Sequence, residues 1–255
     1  MTPTSEDILA LTSKAMITRA VVTEVLEDAT PDQKQFLHEL LELEVASRWR
    51  SRIARLTKQA GFPALKTLEG FNWDNTNLPA SLTQGDLQTA RFVTRVENLV
   101  LTGSVGTGKT HLASAIGLAA CQAGMRVKFT TVAHLVLTLT KAVNLGTLDK
   151  EMAALRKLDL LILDEFGYVP IDLDQARLLF QVIADAYETT SMIVTTNLEF
   201  ARWGEILADT QMAAALIERI VHHGHHITFE GTSYRLENSL MRQGGTSPIP
   251  AATAA

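Results

Sequence analysis

The chain has 255 residues, which at about 150 residues per domain is one to two domains and enough for a sizeable core. With 23 Lys and Arg against 28 Asp and Glu the net charge is −5, and 46% hydrophobic with 20% charged residues excludes both a disordered chain and a globally basic nucleic-acid coat. The single cysteine, Cys121, can form no internal disulfide, no apolar run of about 18 residues is present, and the first seven residues are acidic where a signal peptide is basic. A cytoplasmic protein without a membrane partner is expected.

In chain order, the segment from about Thr4 to Leu26 reads as helical. Thr30, Pro31 and Gln33 then write a helix start: a capping threonine, a proline suited to the first helical position and a glutamine placed to close a capping box. Gly61 followed by Pro63 ends that helix at Ala60. On a wheel at about 100° per residue, Val45, Trp49, Ile53 and Leu56 fall within an arc of roughly 80°, a core-facing stripe that places Trp49 inside. Arg48, Arg52 and Arg55 lie on the adjoining strip, with Lys58 further round and Arg50 nearly opposite. Together with Lys66 these are six bases in residues 46–66 with no acid among them, a local +6 that leaves −11 on the rest. Residues 1–65 are therefore expected to form a small all-helical domain with a broad basic face. Six neutralised phosphates imply a log-log salt slope near −5, and no base-reading motif accompanies them. The competing reading is a solvated basic face that packs on an acidic partner.

Residues 66–90 hold turn formers and no sustained period, and read as a connector. From 91 to 243 the pattern alternates between short β-branched or apolar runs and helical stretches. Strands are expected at Leu99–Thr102, Val127–Thr131, Leu158–Asp164, Met192–Thr196 and Ile227–Glu230. Helices are expected at Lys109–Ala123, between the second and third strands, at Asp174–Glu188 and at about Gln211–His222. Such βα alternation means an α/β fold with a mostly parallel sheet covered by helices on both faces. Residues 244–255 have the composition of a disordered tail.

The strongest motif is Gly103-Ser104-Val105-Gly106-Thr107-Gly108-Lys109-Thr110, a G-x-x-x-x-G-K-[ST] loop between a strand and a helix. Glycines let backbone N–H groups turn inward around phosphates, and the helix that follows presents its positive end to the same anion. Lys109 is suited to neutralise β- and γ-phosphates, and the Thr110 hydroxyl to hold Mg²⁺. About one random chain of this length in a hundred would contain the pattern by chance, and fewer at a strand-to-helix turn. Leu160-Leu161-Ile162-Leu163-Asp164-Glu165 is a buried-strand run ending in two acids at the crevice side of the sheet. Asp164 is assigned to Mg²⁺, and Glu165 to orienting or deprotonating the attacking water. Asn197 ends the next strand and could hold that water or the γ-phosphate, against the simpler reading of a turn former. Arg219 reads either as an arginine finger or as a surface ion-pair partner. ATP and Mg²⁺ are the expected cofactors.

The order of these motifs resembles the AAA+ ATPase core. More narrowly, Gly61-Phe62-Pro63, Lys66-Thr67-Leu68, Phe71-Asn72-Trp73, Gly108-Lys109-Thr110-His111-Leu112-Ala113, Leu163-Asp164-Glu165-Phe166-Gly167-Tyr168, Trp203-Gly204-Glu205, Arg219-Ile220-Val221-His222-His223 and Ser233-Tyr234-Arg235 resemble the IstB family. These are ATP-binding helpers of transposition related to the DnaC and DnaI helicase loaders. The resemblance implies an ATPase on duplex DNA that forms a homo-oligomeric ring or spiral and works with a partner transposase. By position it implies that Lys109, Thr110, Asp164, Glu165 and Asn197 act within one subunit, with His111 beside the nucleotide. It also implies that Arg219 reaches a neighbour's γ-phosphate and that Arg235 is a lid-side nucleotide contact.

His222, His223, His225 and His226 do not have convincing ligand spacing and read as structural or surface residues. Cys121 reads as a small buried hydrophobe. Two other functional classes share the nucleotide motifs: a replicative helicase loader, and a nucleotide-gated binding module without useful hydrolysis. Glu165 argues against the second of these, because a pure switch needs no water-activating acid.

Overall fold

The computed structural model describes residues 2–207 and 209–234. The chain divides into two compact units that adjoin in sequence between Arg55 and Leu56. In the first, α1 (Ser5–Ala15) and α2 (Arg19–Glu27) precede the long helix α3 (Pro31–Ala60), whose last residues belong to the second unit. The start of α3 is the expected capping box: the Thr30 N–H donates to Gln33 Oε1 at 2.8 Å, and the Gln33 N–H donates to Thr30 Oγ1 at 3.4 Å. Gly61 ends it with a left-handed φ of +75°. Ile8, Ala15, Val22, Leu26 and Leu41 form the core of this unit, with Leu37 and Val45 packed against it.

The stripe expected along α3 is only partly a core face. Val45 packs on the first core and Leu56 on a core of the second unit, but Trp49 is 43% exposed and lies under the Arg52 guanidinium at 5.7 Å. A single wheel presumes one core along the whole helix, whereas this helix serves two in succession. Trp49 lies in the first unit, one turn beyond Val45, and is not among the residues that pack on that unit's core.

Residues 66–90, read as a connector, carry short elements of their own. They contain β1 (Thr76–Asn77) and α4 (Gln84–Gln88), followed by α5 (Arg91–Thr94). Leu82, Leu87 and Ala90 are buried there, and Leu68, Phe71, Trp73 and Leu78 pack on the same core. These apolar residues reach the core singly from turns, which is why they show no period.

The second unit continues with β2 (Asn98–Gly103), α6 (Lys109–Gln122), β3 (Val127–Thr131), α7 (Val132–Asn144), α8 (Leu148–Leu155), β4 (Leu160–Phe166), α9 (Leu173–Ala186), β5 (Ser191–Thr196), α10 (Trp203–Ile206), α11 (Thr210–His222) and β6 (Gly224–Phe229). The sheet order is β1-β6-β2-β5-β4-β3, parallel throughout except for the antiparallel edge pair β1–β6. The expected single helix between β3 and β4 is two, and β6 starts earlier than expected because its ladder with β2 begins at Asn98↔Gly224.

Alternation along the central strands feeds two cores. Leu99, Leu101, Leu160 and Ile162 face the α6 side, while Val100, Leu161 and Leu163 face the side of α7, α9 and α11. Each such fully buried side chain contributes about 1.5–3 kcal/mol of transfer free energy, which fixes the strand order and brings the ends of β2, β5 and β4 side by side. Among the described residues no helix is long and apolar enough to cross a membrane. Arg235 and the expected tail at 244–255 lie outside the described residues.

Candidate functional site

The loop Gly103–Thr110 joins β2 to α6 at the centre of the sheet. Its three glycines have φ of +144°, +84° and +109° at Gly103, Gly106 and Gly108, a region that L side chains rarely adopt. Close neighbours also require two of them. A Cβ at Gly103 would fall on the carbonyl oxygen of Phe229 in β6, and one at Gly106 on the hydroxyl of Ser233, whose neighbour Tyr234 donates its N–H to the Gly106 carbonyl at 3.1 Å. Lys109 is 5% exposed, and its Nζ donates to the carbonyls of Gly103 at 2.6 Å and Ser104 at 2.7 Å. The ammonium is thus held inside the loop that its motif assigns to phosphates.

Thr110, the next residue, faces β4. Its Oγ1 donates to both carboxylate oxygens of Asp164, at 3.0 and 3.2 Å, and Asp164 is 4% exposed. Asp164 accepts a further bond of 2.5 Å from Thr195 Oγ1 on β5, and the same hydroxyl accepts the N–H of Glu165 at 3.1 Å. Glu165 is exposed and has φ +58° where the β4–β5 register shifts, so its side chain leaves the alternation of the strand. Lys109, Thr110, Asp164 and Glu165 therefore come together at the C-terminal ends of the central strands β2 and β4. Asn197 is exposed just past the C-terminal end of β5, which lies between them. A hard-oxygen pair, Thr110 Oγ1 and the Asp164 carboxylate, next to a buried ammonium and a glycine loop, is a set of donors whose chemistry fits Mg²⁺ with a polyphosphate.

Other expected residues lie elsewhere. The His111 ring meets the Thr67 carbonyl at 3.3 Å and the edge of Phe71, so it is engaged with residues 66–90. Arg219 on α11 donates to the Ala215 carbonyl at 2.8 Å and stacks over Phe180 of α9 at 5.1 Å, in place of the surface ion pair weighed from sequence. Arg48, Arg50, Arg52, Arg55, Lys58 and Lys66 are all exposed, with Arg48 paired to Glu44 at 2.6 Å.

The four histidines divide among separate structural partners. His222 meets Tyr187 and His223, His225 lies between Ser81 and Glu97, and His226 meets Thr102. Burial on α6 pushes the Cys121 thiol up to about 11, so it is a neutral core residue. The resemblance to the AAA+ core includes a sensor-like Thr195-Thr196-Asn197 run but gives Thr195 no partner, and only strand pairing shows that the two acids share its one hydroxyl.

The family described as IstB-like ATP binding protein matches residues 6–242. The chain belongs to this family. Among similar proteins, an ATP-binding protein assigned by name to insertion sequence IS21 of Pseudomonas aeruginosa is 37% identical over 236 residues, covering 89% of this chain and 88% of its own length. Its counterpart for insertion sequence IS5376 of Geobacillus stearothermophilus is 36% identical over 209 residues, covering 82% of this chain and 83% of its own. The crystal structure of the DnaC helicase loader superposes with a TM-score of 0.52 at 22% identity, over 64% of this chain and 96% of that one. AMPPCP-bound DnaA from Aquifex aeolicus also gives 0.52, at 19% identity over 69% and 54%. At these identities the solved structures bear on fold alone, and the fold is the expected AAA+ type: an α/β sheet flanked by helices and preceded by a helical region. Membership of this family groups the chain with IstB-like ATP-binding proteins.

Proposed function

We propose that this IstB-family chain is a Mg²⁺-dependent ATPase that assembles on duplex DNA and recruits or activates a partner transposase. The observation that supports it best is the chain of contacts from the glycine loop through Thr110 and Asp164 to Glu165, in a family whose relatives are named for insertion sequences. Lys109 and the loop N–H groups bind the β- and γ-phosphates, while Thr110 Oγ1 and Asp164 hold the metal. When bound, Mg²⁺ neutralises charge on the phosphates. Glu165 takes a proton from the attacking water or orients it, and Asn197 fixes that water or the γ-phosphate. Arg219 serves the neighbouring subunit's nucleotide by leaving its stack on Phe180, which links ATP binding to assembly. The six exposed bases on and after α3 bind the DNA backbone without strong sequence preference.

The test is the ATPase rate and sedimentation of the purified protein, with and without duplex DNA, across a salt series. The expected result is DNA-stimulated turnover with ATP-dependent assembly, both fading as salt rises. If duplex changes neither rate nor size, the basic helix faces a protein and the helicase-loader reading replaces this one.

A further inference from the structure

β4 and β5 pair regularly up to Leu163↔Val194 and resume at Phe166↔Thr196, which leaves Asp164 and Glu165 together opposite Thr195. A bulge of this kind is rare in a parallel pair and bends the strand so that a side chain is re-aimed. Here the re-aimed residue is Glu165, between buried Asp164 and buried Phe166, with the left-handed φ of +58° that an L residue adopts only where its neighbours impose it. One hydroxyl braces this point of the chain. Thr195 is 2% exposed, and its Oγ1 donates to Asp164 Oδ1 while accepting the Glu165 N–H. Only a group that is donor and acceptor at once can do both, and a valine of the same shape can do neither. Directly across the ladder Thr196 Oγ1 donates to the Phe166 carbonyl at 2.8 Å, which anchors the far side of the bulge.

We propose that Thr195 is a positioning residue for ATP hydrolysis, its hydroxyl tying Asp164 to the backbone of Glu165 so that the metal-side acid and the water-side acid are set as one unit. The inference rests on the reading of Glu165 as the water-activating acid. Both hydrogen bonds of the Thr195 hydroxyl go to the two acids, so it acts through them.

The test compares Thr195→Val, Thr195→Ser, Glu165→Gln and the double variant Thr195→Val/Glu165→Gln in the full chain. Affinity is read with a fluorescent ATP analogue, turnover by phosphate release, and folding by thermal melting without nucleotide. Loss of the hydroxyl takes one of two donors from Asp164 Oδ1 and removes the acceptor of the Glu165 N–H, so Thr195→Val should lower kcat about 10- to 100-fold while affinity stays within about threefold. Thr195→Ser, which keeps the hydroxyl, should restore most of the rate. The double variant should be no slower than Glu165→Gln alone, the signature of a residue acting through another. If Thr195→Val does not fold, Thr195→Ala replaces it in every comparison. Normal turnover by Thr195→Val beside an inactive Glu165→Gln overturns the inference alone, as does a double variant slowed by the product of the two single effects. Normal turnover by Glu165→Gln overturns the hydrolytic reading and this inference with it.

Discussion

Gly106→Ala separates two reasons for a glycine in the phosphate loop. The first is conformational: at φ +84° an L residue is strained by about 1–2 kcal/mol. The second is steric, since the new Cβ would fall on the Ser233 hydroxyl and come within 3.0 Å of the Ser233 Cβ. Overpacking of this kind costs about 1–3 kcal/mol. The loop can escape both by leaving its cradle shape, so the sum of about 2–5 kcal/mol appears as lost nucleotide affinity, between about 30-fold and a few thousand-fold. Ser233→Gly removes both clashing atoms but not the φ. Measured against Ser233→Gly alone, the double variant Gly106→Ala/Ser233→Gly should therefore retain only the conformational part, about 5- to 30-fold. The assay is titration of a fluorescent ATP analogue onto all four proteins, with melting curves as the folding control. Equal losses with and without Ser233→Gly would refute the steric argument, and unchanged affinity in Gly106→Ala would refute both.

Arg219→Ala should cost little stability, about 0.5–1 kcal/mol for the stack on Phe180, yet lower turnover and assembly together. Mixing it with Lys109→Ala should regain activity, and no gain together with normal behaviour of Arg219→Ala alone places the finger elsewhere. For the basic helix, neutralising Arg50, Arg52 or Arg55 singly should reduce the log-log salt slope of duplex binding by about 0.9 each. Arg48→Ala should change it less, because Glu44 already pairs with Arg48 at 2.6 Å. Arg95 donates twice to Glu97, at 2.8 Å each, and with His225 holds its carboxyl below the usual carboxylate range. A carboxyl lowered in the folded state gives stability that is complete above its unfolded value of about 4.5 and is lost as pH falls through the folded one. Urea unfolding of Glu97→Gln should accordingly show a flatter decline on acidification below pH ~4.5, by up to about 1 kcal/mol for this partly exposed pair. An unchanged acid profile would contradict that role.

What was legible in the sequence is what short-range chemistry writes. The capping box at Thr30, the glycine loop from Gly103 and the apolar run from Leu160 each specify their element within a few residues, and β3 falls at Val127–Thr131 as expected. What was hidden depends on partners distant in the chain. Glu165 has no local signal for a positive φ, because the bulge exists only through pairing with Thr195 thirty residues later. Phe71 and Trp73 look like loop residues until the core of the second unit takes them up, and Trp49 looks like a core residue until no core reaches it. The Ser233 contact that makes Gly106 necessary also comes from far along the chain.

The central claim is that Lys109 binds nucleotide while Glu165 acts only on the attacking water. Mg-ATP titration and turnover, measured in parallel on the wild type, Lys109→Ala and Glu165→Gln, address it most directly. The account predicts that Lys109→Ala neither binds nor hydrolyses, and that Glu165→Gln binds as well as the wild type but turns over at least about 100-fold more slowly. Wild-type turnover by Glu165→Gln, or wild-type affinity in Lys109→Ala, would contradict it.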